Sequence, residues 1–290
     1  MTVTEAFGIF KSELELPDRR QQQASTAQQE IRAALTKFLD ISDSFLTGSY
    51  ARHTKIDPLN DIDVFLVRNA SRVSLSTTGG IGPVQAIDQV ALGVGAAYPT
   101  AILKKQSRSV NVKLPAYPFA FDLVPAWLRT PDGFWIPDTD INGWLPTDPD
   151  AHATLLTGAN DASKLKLKPL IKMVKHWNRN NLERLRSFHI ELICVDLMRL
   201  GNLQESQSLQ FGVATILVQL HKYAGATMMD PVYGMSRVDK ELSAAELTEL
   251  RSRINYDASN VVDAIRLEAA GDHKAAIEKW KHVFVVGFPK

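Results

Sequence analysis

The sequence predicts an α+β protein with two unlike halves. Three observations carry this. Apolar and alternating runs rich in Val, Ile and Phe cluster before residue 128. Long segments with helical period dominate after residue 150. Between them, 128–150 is rich in Pro, Asp, Gly and Trp without period and reads as a structured loop and a lobe boundary. The predicted division is a mixed-sheet core with an N-terminal helix over 1–150 and a helical lobe over 151–290.

Each element has its own reason. Residues 18–40, "DRRQQQASTAQQEIRAALTKFLD", hold no Gly and follow Pro17, which predicts a helix, polar at first and then amphipathic through Ile31, Leu35 and Phe38. Ile62, Val64, Phe65, Leu66 and Val67 read as a buried strand. "STTGGIGP" (76–83) is a loop by composition, and 84–98 a helix ending near Pro99. "RSVNVKLP" alternates with Val110, Val112 and Leu114 on one face, a strand; 117–127 is another, closed by Pro125. Helices are predicted over 163–181, 187–201, 209–225, 243–271 and 273–284. The chain shows no internal repeat and no low-complexity tract.

Composition narrows the function classes. The 290 residues suffice for one large or two ordinary domains, and 45% hydrophobic with 22% charged residues allows a sizeable core. Thirty-three basic against 32 acidic residues leave a formal charge of +1. That argues against bulk electrostatic binding to nucleic acid or membrane and leaves room for a local basic groove. The single Cys194 excludes an intramolecular disulfide and, in "HIELICVDLM", reads as a buried thiol. No Cys/His set has zinc spacing. The N-terminus lacks a signal-peptide pattern, and no apolar stretch approaches the roughly 18 residues that a membrane span needs. A soluble, cytoplasmic protein is the expectation.

The chemistry concentrates in "LTGSYARHTKIDPLNDIDVFLV" (46–67). Residues two apart in a strand share a face, so Asp61 and Asp63 project together while Ile62, Val64 and Leu66 enter the core. Parallel carboxylates repel, and a divalent cation such as Mg²⁺ supplies the missing charge, completing its shell with water and phosphate oxygens. Two solvated aspartates at a strand end are the alternative. Upstream, Gly48 lets backbone approach a ligand, and Ser49 offers a hydroxyl at a turn able to cradle phosphate. Asp122 is the only charge between Pro115 and Trp127, which makes it the candidate third carboxylate from a neighbouring strand. Two metal ions about 3.5–4 Å apart would be bridged by Asp61 and Asp63, with Asp122 completing the second site.

Gly48-Ser49, Asp61-Ile62-Asp63 and Asp122 together resemble the polymerase-β-like nucleotidyltransferase superfamily. "FDLVPAW", "KLKPLIKMVKHWN" and "SFHIEL" resemble its oligoadenylate synthase and cyclic GMP–AMP synthase branch, which includes the bacterial cGAS/DncV-like nucleotidyltransferases (CD-NTases) of anti-phage (CBASS) defence. The resemblance covers residues 40–200; the last 90 match only in being helical. It implies an active site in the cleft between a nucleotidyltransferase lobe and a helical lobe. It also implies two Mg²⁺ ions, replaceable by Mn²⁺, and NTP substrates, ATP among them. Lys175 is implied to hold the donor triphosphate, Ser187 to contact phosphate and Phe188 to stack on a base. The residues leave other roles open: Ser187 also suits a helix N-cap, and Phe188 a core aromatic. Lys168, Lys172 and Lys175 share one helix face, with Lys172 expected at the surface. Arg52 and His53 follow the Gly-Ser turn and read as a solvated pair, with a role facing phosphate as the alternative; His189 reads as packed.

The implied reaction is template-independent nucleotidyl transfer giving a cyclic di- or trinucleotide. This diffusible messenger would switch on a separate effector, and a HORMA-domain or other CBASS regulator would be a partner. Linear 2′–5′ oligoadenylate synthesis, or transfer to RNA, protein or a small molecule, is the alternative within the enzyme class. A non-catalytic nucleotide-binding protein is the alternative outside it, and the three retained carboxylates disfavour it.

Overall fold

Helix α1 (Val3–Glu13) starts at a capping box in which Thr2 and Glu5 satisfy each other's backbone N–H groups. The computed structural model describes residues 1–69, 80–164, 166–203 and 207–289. The expected 76–83 loop lies outside them up to residue 79. After α1 come α2 (Asp18–Leu35), β1 (Ile41–Thr47), the single turn α3 (Gly48–Ala51), β2 (Asp61–Arg68) and α4 (Pro83–Ala97). Then follow β3 (Ile102–Lys105), β4 (Val110–Lys113), β5 (Ala120–Leu128), β6 (Phe134–Asp138) and β7 (Gly143–Thr147). The rest is helical: α5 (Pro149–Ala162), α6 (Leu167–Asn180), α7 (Ser187–Arg199), α8 (Leu209–Gln219), α9 (Ala244–Ala269) and α10 (His273–Phe284).

The strands form one mixed sheet in the order β1-β2-β5-β4-β3, with the β6–β7 hairpin continuing from the end of β5. Only β2 and β5 run parallel. The expected alternation in β2 holds: Ile62, Val64 and Leu66 are fully buried under α2 and α4 with Phe121 and Leu123 of β5. Each such side chain contributes about 1.5–3 kcal/mol. That anchors a strand whose opposite face carries carboxylates.

Several expectations need correcting. The helix at 18–40 ends at Leu35, and Phe38 beyond it is exposed. Pro125 does not close β5, which runs on to Leu128. β4 pairs only as far as Leu123, so β5 has an open edge where Pro125 loses no ladder bond on that side. The 128–150 segment is not a loop but mostly the β6–β7 hairpin. β3 went unpredicted because it is a short edge strand with two lysines and no apolar face.

In the helical lobe, α6 runs through the core. The indole of Trp177 donates to Asp257 on α9 at 2.7 Å, and Arg253 pairs with the same carboxylate at 2.6 Å. An aromatic cluster of Phe7, Phe10, Trp280, Phe284 and Phe288 ties α1 to α10. Helix α1 therefore packs in the helical core, although a boundary at residue 150 assigns it to the other half. Lys172, expected at the surface, is buried against Glu15, which follows α1. Cys194 is buried, and burial raises its thiol pKa. His189 is packed at 2% exposure. Among the described residues, no helix is long and apolar enough to cross a membrane.

Candidate active site

The sheet register assembles the carboxylates. Asp63 on β2 is the parallel partner of Asp122 on β5, and neighbouring strands lie about 4.8 Å apart. Asp61 shares the face of Asp63 two residues earlier. On the other side, Asn111 of β4 is the partner of Asp122 and donates its amide to that carboxylate at 2.8 Å. Lys55 forms an ion pair with Asp61. The Asp63 carboxylate accepts no hydrogen bond among the described residues. Burial pushes its pKa up to about 6; Asp61 and Asp122 add to the rise and Lys55 opposes it. Asp122 is raised too, by burial above all, against the Asn111 hydrogen bond.

The Gly-Ser turn sits beside these acids for a topological reason. Thr47, at the end of β1, is the register partner of Asp63, so the chain turns at Gly48 next to that carboxylate. Gly48 has φ +65°, and a Cβ there would lie 1.7 Å from Asp63 Oδ2. Glycine is thus required by conformation and by contact. Thr54 N–H donates to the Ser49 carbonyl at 3.0 Å, folding the segment after the turn back onto it.

A buried charge cluster fixes this turn to the helical lobe. Glu191 on α7, 1% exposed, accepts from Arg52 Nε at 2.6 Å, Lys175 Nζ at 2.6 Å and Thr54 Oγ1 at 2.7 Å. Arg52, expected from sequence to be solvated, is instead 8% exposed and paired with Glu191. Lys175 also donates to the carbonyl and hydroxyl of Thr54 at 3.3 and 3.0 Å, so its three ammonium hydrogens point at protein. Glu191 is held at about 2: Lys175 and Arg52, by charge and by hydrogen bond, overcome the burial that would raise it. Lys175 is lowered by burial, against Glu191. The Arg52 guanidinium lies over the Phe188 ring at 4.8 Å, and His152 packs against that ring at 4.9 Å while pairing with Asp230 at 2.9 Å.

Seven of the eight residues singled out from sequence line one cleft: Gly48, Ser49, Asp61, Asp63, Asp122, Ser187 and Phe188. Its volume of about 670 Å³ falls within the usual range of small-molecule sites. Lys175 instead lines a smaller, polar pocket next door, which shares Ser49, Asp61 and Ser187 with the cleft. Ser187 is the first residue of α7 rather than its N-cap, a position held by Arg186.

The donor set fits a hard divalent cation. Its oxygens are carboxylates, and Asp63 carries charge that Lys55 and Arg52 compensate only in part. Among the described residues, no three His, Cys, Asp or Glu side chains converge closely enough to hold an ion by themselves. Asp61, Asp63 and Asp122 would then share the ions with water and phosphate oxygens, which is how Mg²⁺ is usually held. Sequence reading missed Glu191, although a lone acid within "HIELICV" is the signal that singled out Asp122. Asn111 and Lys55 carry no comparable mark.

Comparison with known proteins shows the family. Residues 1–160 match the Second Messenger Oligonucleotide or Dinucleotide Synthetase (SMODS) domain family. A Bacillus cereus protein named "Probable cyclic nucleotide synthase" is 26% identical, over 83% of this chain and 81% of its own. A "Cyclic AMP-AMP-AMP synthase" of Acinetobacter is 25% identical, over 100% of this chain and 86% of its own. Among solved structures, Escherichia coli CdnC in complex with HORMA-deltaN superposes with TM-score 0.77 at 18% identity, covering 99% of this chain and 98% of that one. Vibrio cholerae DncV cyclic AMP-GMP synthase with a linear intermediate gives 0.77 at 11%, covering 96% and 94%. The fold is therefore the polymerase-β-like one, and the chain belongs to the SMODS family as a bacterial CD-NTase, a nucleotidyltransferase that makes oligonucleotide second messengers.

Proposed function

We propose that this chain joins NTPs into a cyclic di- or trinucleotide, with Asp61, Asp63 and Asp122 as the catalytic carboxylates. The observation that carries it is the β2–β5 register, which sets Asp63 beside Asp122 and faces both towards the Gly48-Ser49 turn in one cleft. Asp61, Asp63 and Asp122 would hold two Mg²⁺ ions, or Mn²⁺. Bound there, the metal supplies charge stabilisation at the α-phosphate and lowers the pKa of the attacking ribose hydroxyl. Gly48 and Ser49 seat the phosphates of the donor. Phe188, braced by Arg52 and His152, offers a platform for a base, and Ser187 a hydroxyl at the junction of the two pockets. Lys175 acts with Glu191 and Thr54, keeping the turn in register with the helical lobe. Catalysis here is mainly positioning in a site shielded by two lobes. ATP is the expected substrate, since the Acinetobacter relative is a cyclic AMP-AMP-AMP synthase. A HORMA-domain regulator is the expected partner, by likeness to the CdnC complex. The messenger would serve cytoplasmic anti-phage signalling.

The test is incubation of the purified protein with all four NTPs and Mg²⁺ or Mn²⁺, with and without a HORMA partner, read by mass spectrometry. A cyclic product absent from the Asp61→Asn/Asp63→Asn variant is expected. Linear oligomers alone would refute the cyclic reading. No product in any condition, together with no metal-dependent NTP binding, would refute the enzymatic one.

A further inference from the structure

The cations around the cleft and its side pocket differ in how far they are committed. Arg52 and Lys175 share Glu191. Lys55 is paired with Asp61. Arg108 pairs with Asp138 at 2.8 Å, and Arg237 with Asp239 at 2.5 Å. Arg179 donates to the Pro58 carbonyl at 3.2 Å. Arg186 alone among these has a guanidinium with no hydrogen bond or ion pair among the described residues. It is exposed, and it lines both cavities. The residues that both cavities share around it are Ser49, Lys55, Asp61 and Ser187.

We infer that Arg186 is a further substrate-binding residue, whose guanidinium grips the terminal phosphates of the donor nucleotide where they leave Asp61 for the side pocket. This rests on the donor triphosphate lying along Gly48-Ser49, as proposed above. The side pocket suits that tail. Its lining is polar apart from Ile56 and Leu185, and the cleft is the roomier and more apolar of the two. A planar guanidinium binds two phosphate oxygens at once, which an ammonium does not reproduce. Because the ammonium hydrogens of Lys175 are all committed to Glu191 and Thr54, the cationic donor still open to a ligand at this junction is Arg186. Its exposure and open guanidinium mean that its removal breaks no hydrogen bond or ion pair among the described residues.

The test compares Arg186→Ala and Arg186→Lys with wild type, by calorimetric binding of α,β-methylene-ATP and of AMP in the presence of Mg²⁺. Wild type is expected to bind the triphosphate more tightly than AMP. Arg186→Ala should weaken triphosphate binding about 10- to 100-fold, the loss expected for charge-assisted hydrogen bonds, with AMP affinity unchanged. Arg186→Lys should recover only part of it. Triphosphate affinity within twofold of wild type in Arg186→Ala, or an equal loss for AMP, would overturn the inference alone. A wild-type protein that binds no triphosphate would overturn the functional reading and this inference with it.

Discussion

Replacing Glu191 by Gln leaves Arg52 and Lys175 buried around a neutral amide. Neither cation forms another ion pair among the described residues. Removing one partner of a buried ion pair costs about 3–5 kcal/mol, because the charge left behind stays desolvated. The direction of the Glu191 pKa agrees, because Lys175 and Arg52 hold the carboxyl well below its ordinary range despite burial. At roughly 2–4 °C per kcal/mol, the melting temperature should fall by about 10 °C at pH 7.5. The folded pKa is depressed, so this stability is present above 4.5 and lost as pH falls through about 2. The gap between wild type and variant should therefore close in acid. Scanning calorimetry at pH 7.5 and at successively lower pH reads both effects. A fall of less than 2 °C at pH 7.5, or a gap that persists unchanged in acid, would refute the reasoning. The double variant Glu191→Gln/Lys175→Met should lose less than the two single losses added, since the charges are coupled.

Three other substitutions probe the site. Gly48→Ala sets a methyl 1.7 Å from Asp63 Oδ2 at φ +65°, so product formation should drop at least 100-fold, measured by labelled-NTP turnover at a temperature where the variant stays folded. Asp63→Asn should abolish synthesis yet raise the melting temperature of the metal-free protein at pH 7.5. The folded pKa of Asp63 is raised to about 6, so its contribution favours folding below 3.8 and is lost as pH rises through 6; the gain from Asn should shrink towards pH 5. Phe188→Ala removes the ring under Arg52 and should weaken nucleotide binding about 10- to 100-fold, whereas Phe188→Tyr should hold it within a few-fold, read by fluorescence titration.

Much of the site was legible because its signals are local. Gly48 is marked by the turn it must make, and Asp61 and Asp63 by a shared strand face. Asp122 is marked as a lone charge in an apolar segment. Glu191 carries that same mark in α7, but its two cations lie 139 and 16 residues away, and no local pattern names them. Helix α5 hides for another reason: its buried face carries His152 and Asn160 beside Leu156, so the apolar period is broken by polar residues that the fold satisfies. Pro125 misleads because a proline ends a strand only where both edges are paired.

By itself, the sequence determined the strand-helix character of the two halves, the apolar face of β2 and the identity of the acids, since these depend on residue spacing within one element. The tertiary structure decided which acids meet, because the parallel β2–β5 register is set by a crossover of some fifty residues. It also decided where charge is spent. Lys175 and Arg52 close on Glu191, Lys172 on Glu15, and Arg186 is left open at the junction of the two cavities. Each of those outcomes depends on which distant carboxylate the packing brings within reach, and burial then makes the choice costly to reverse.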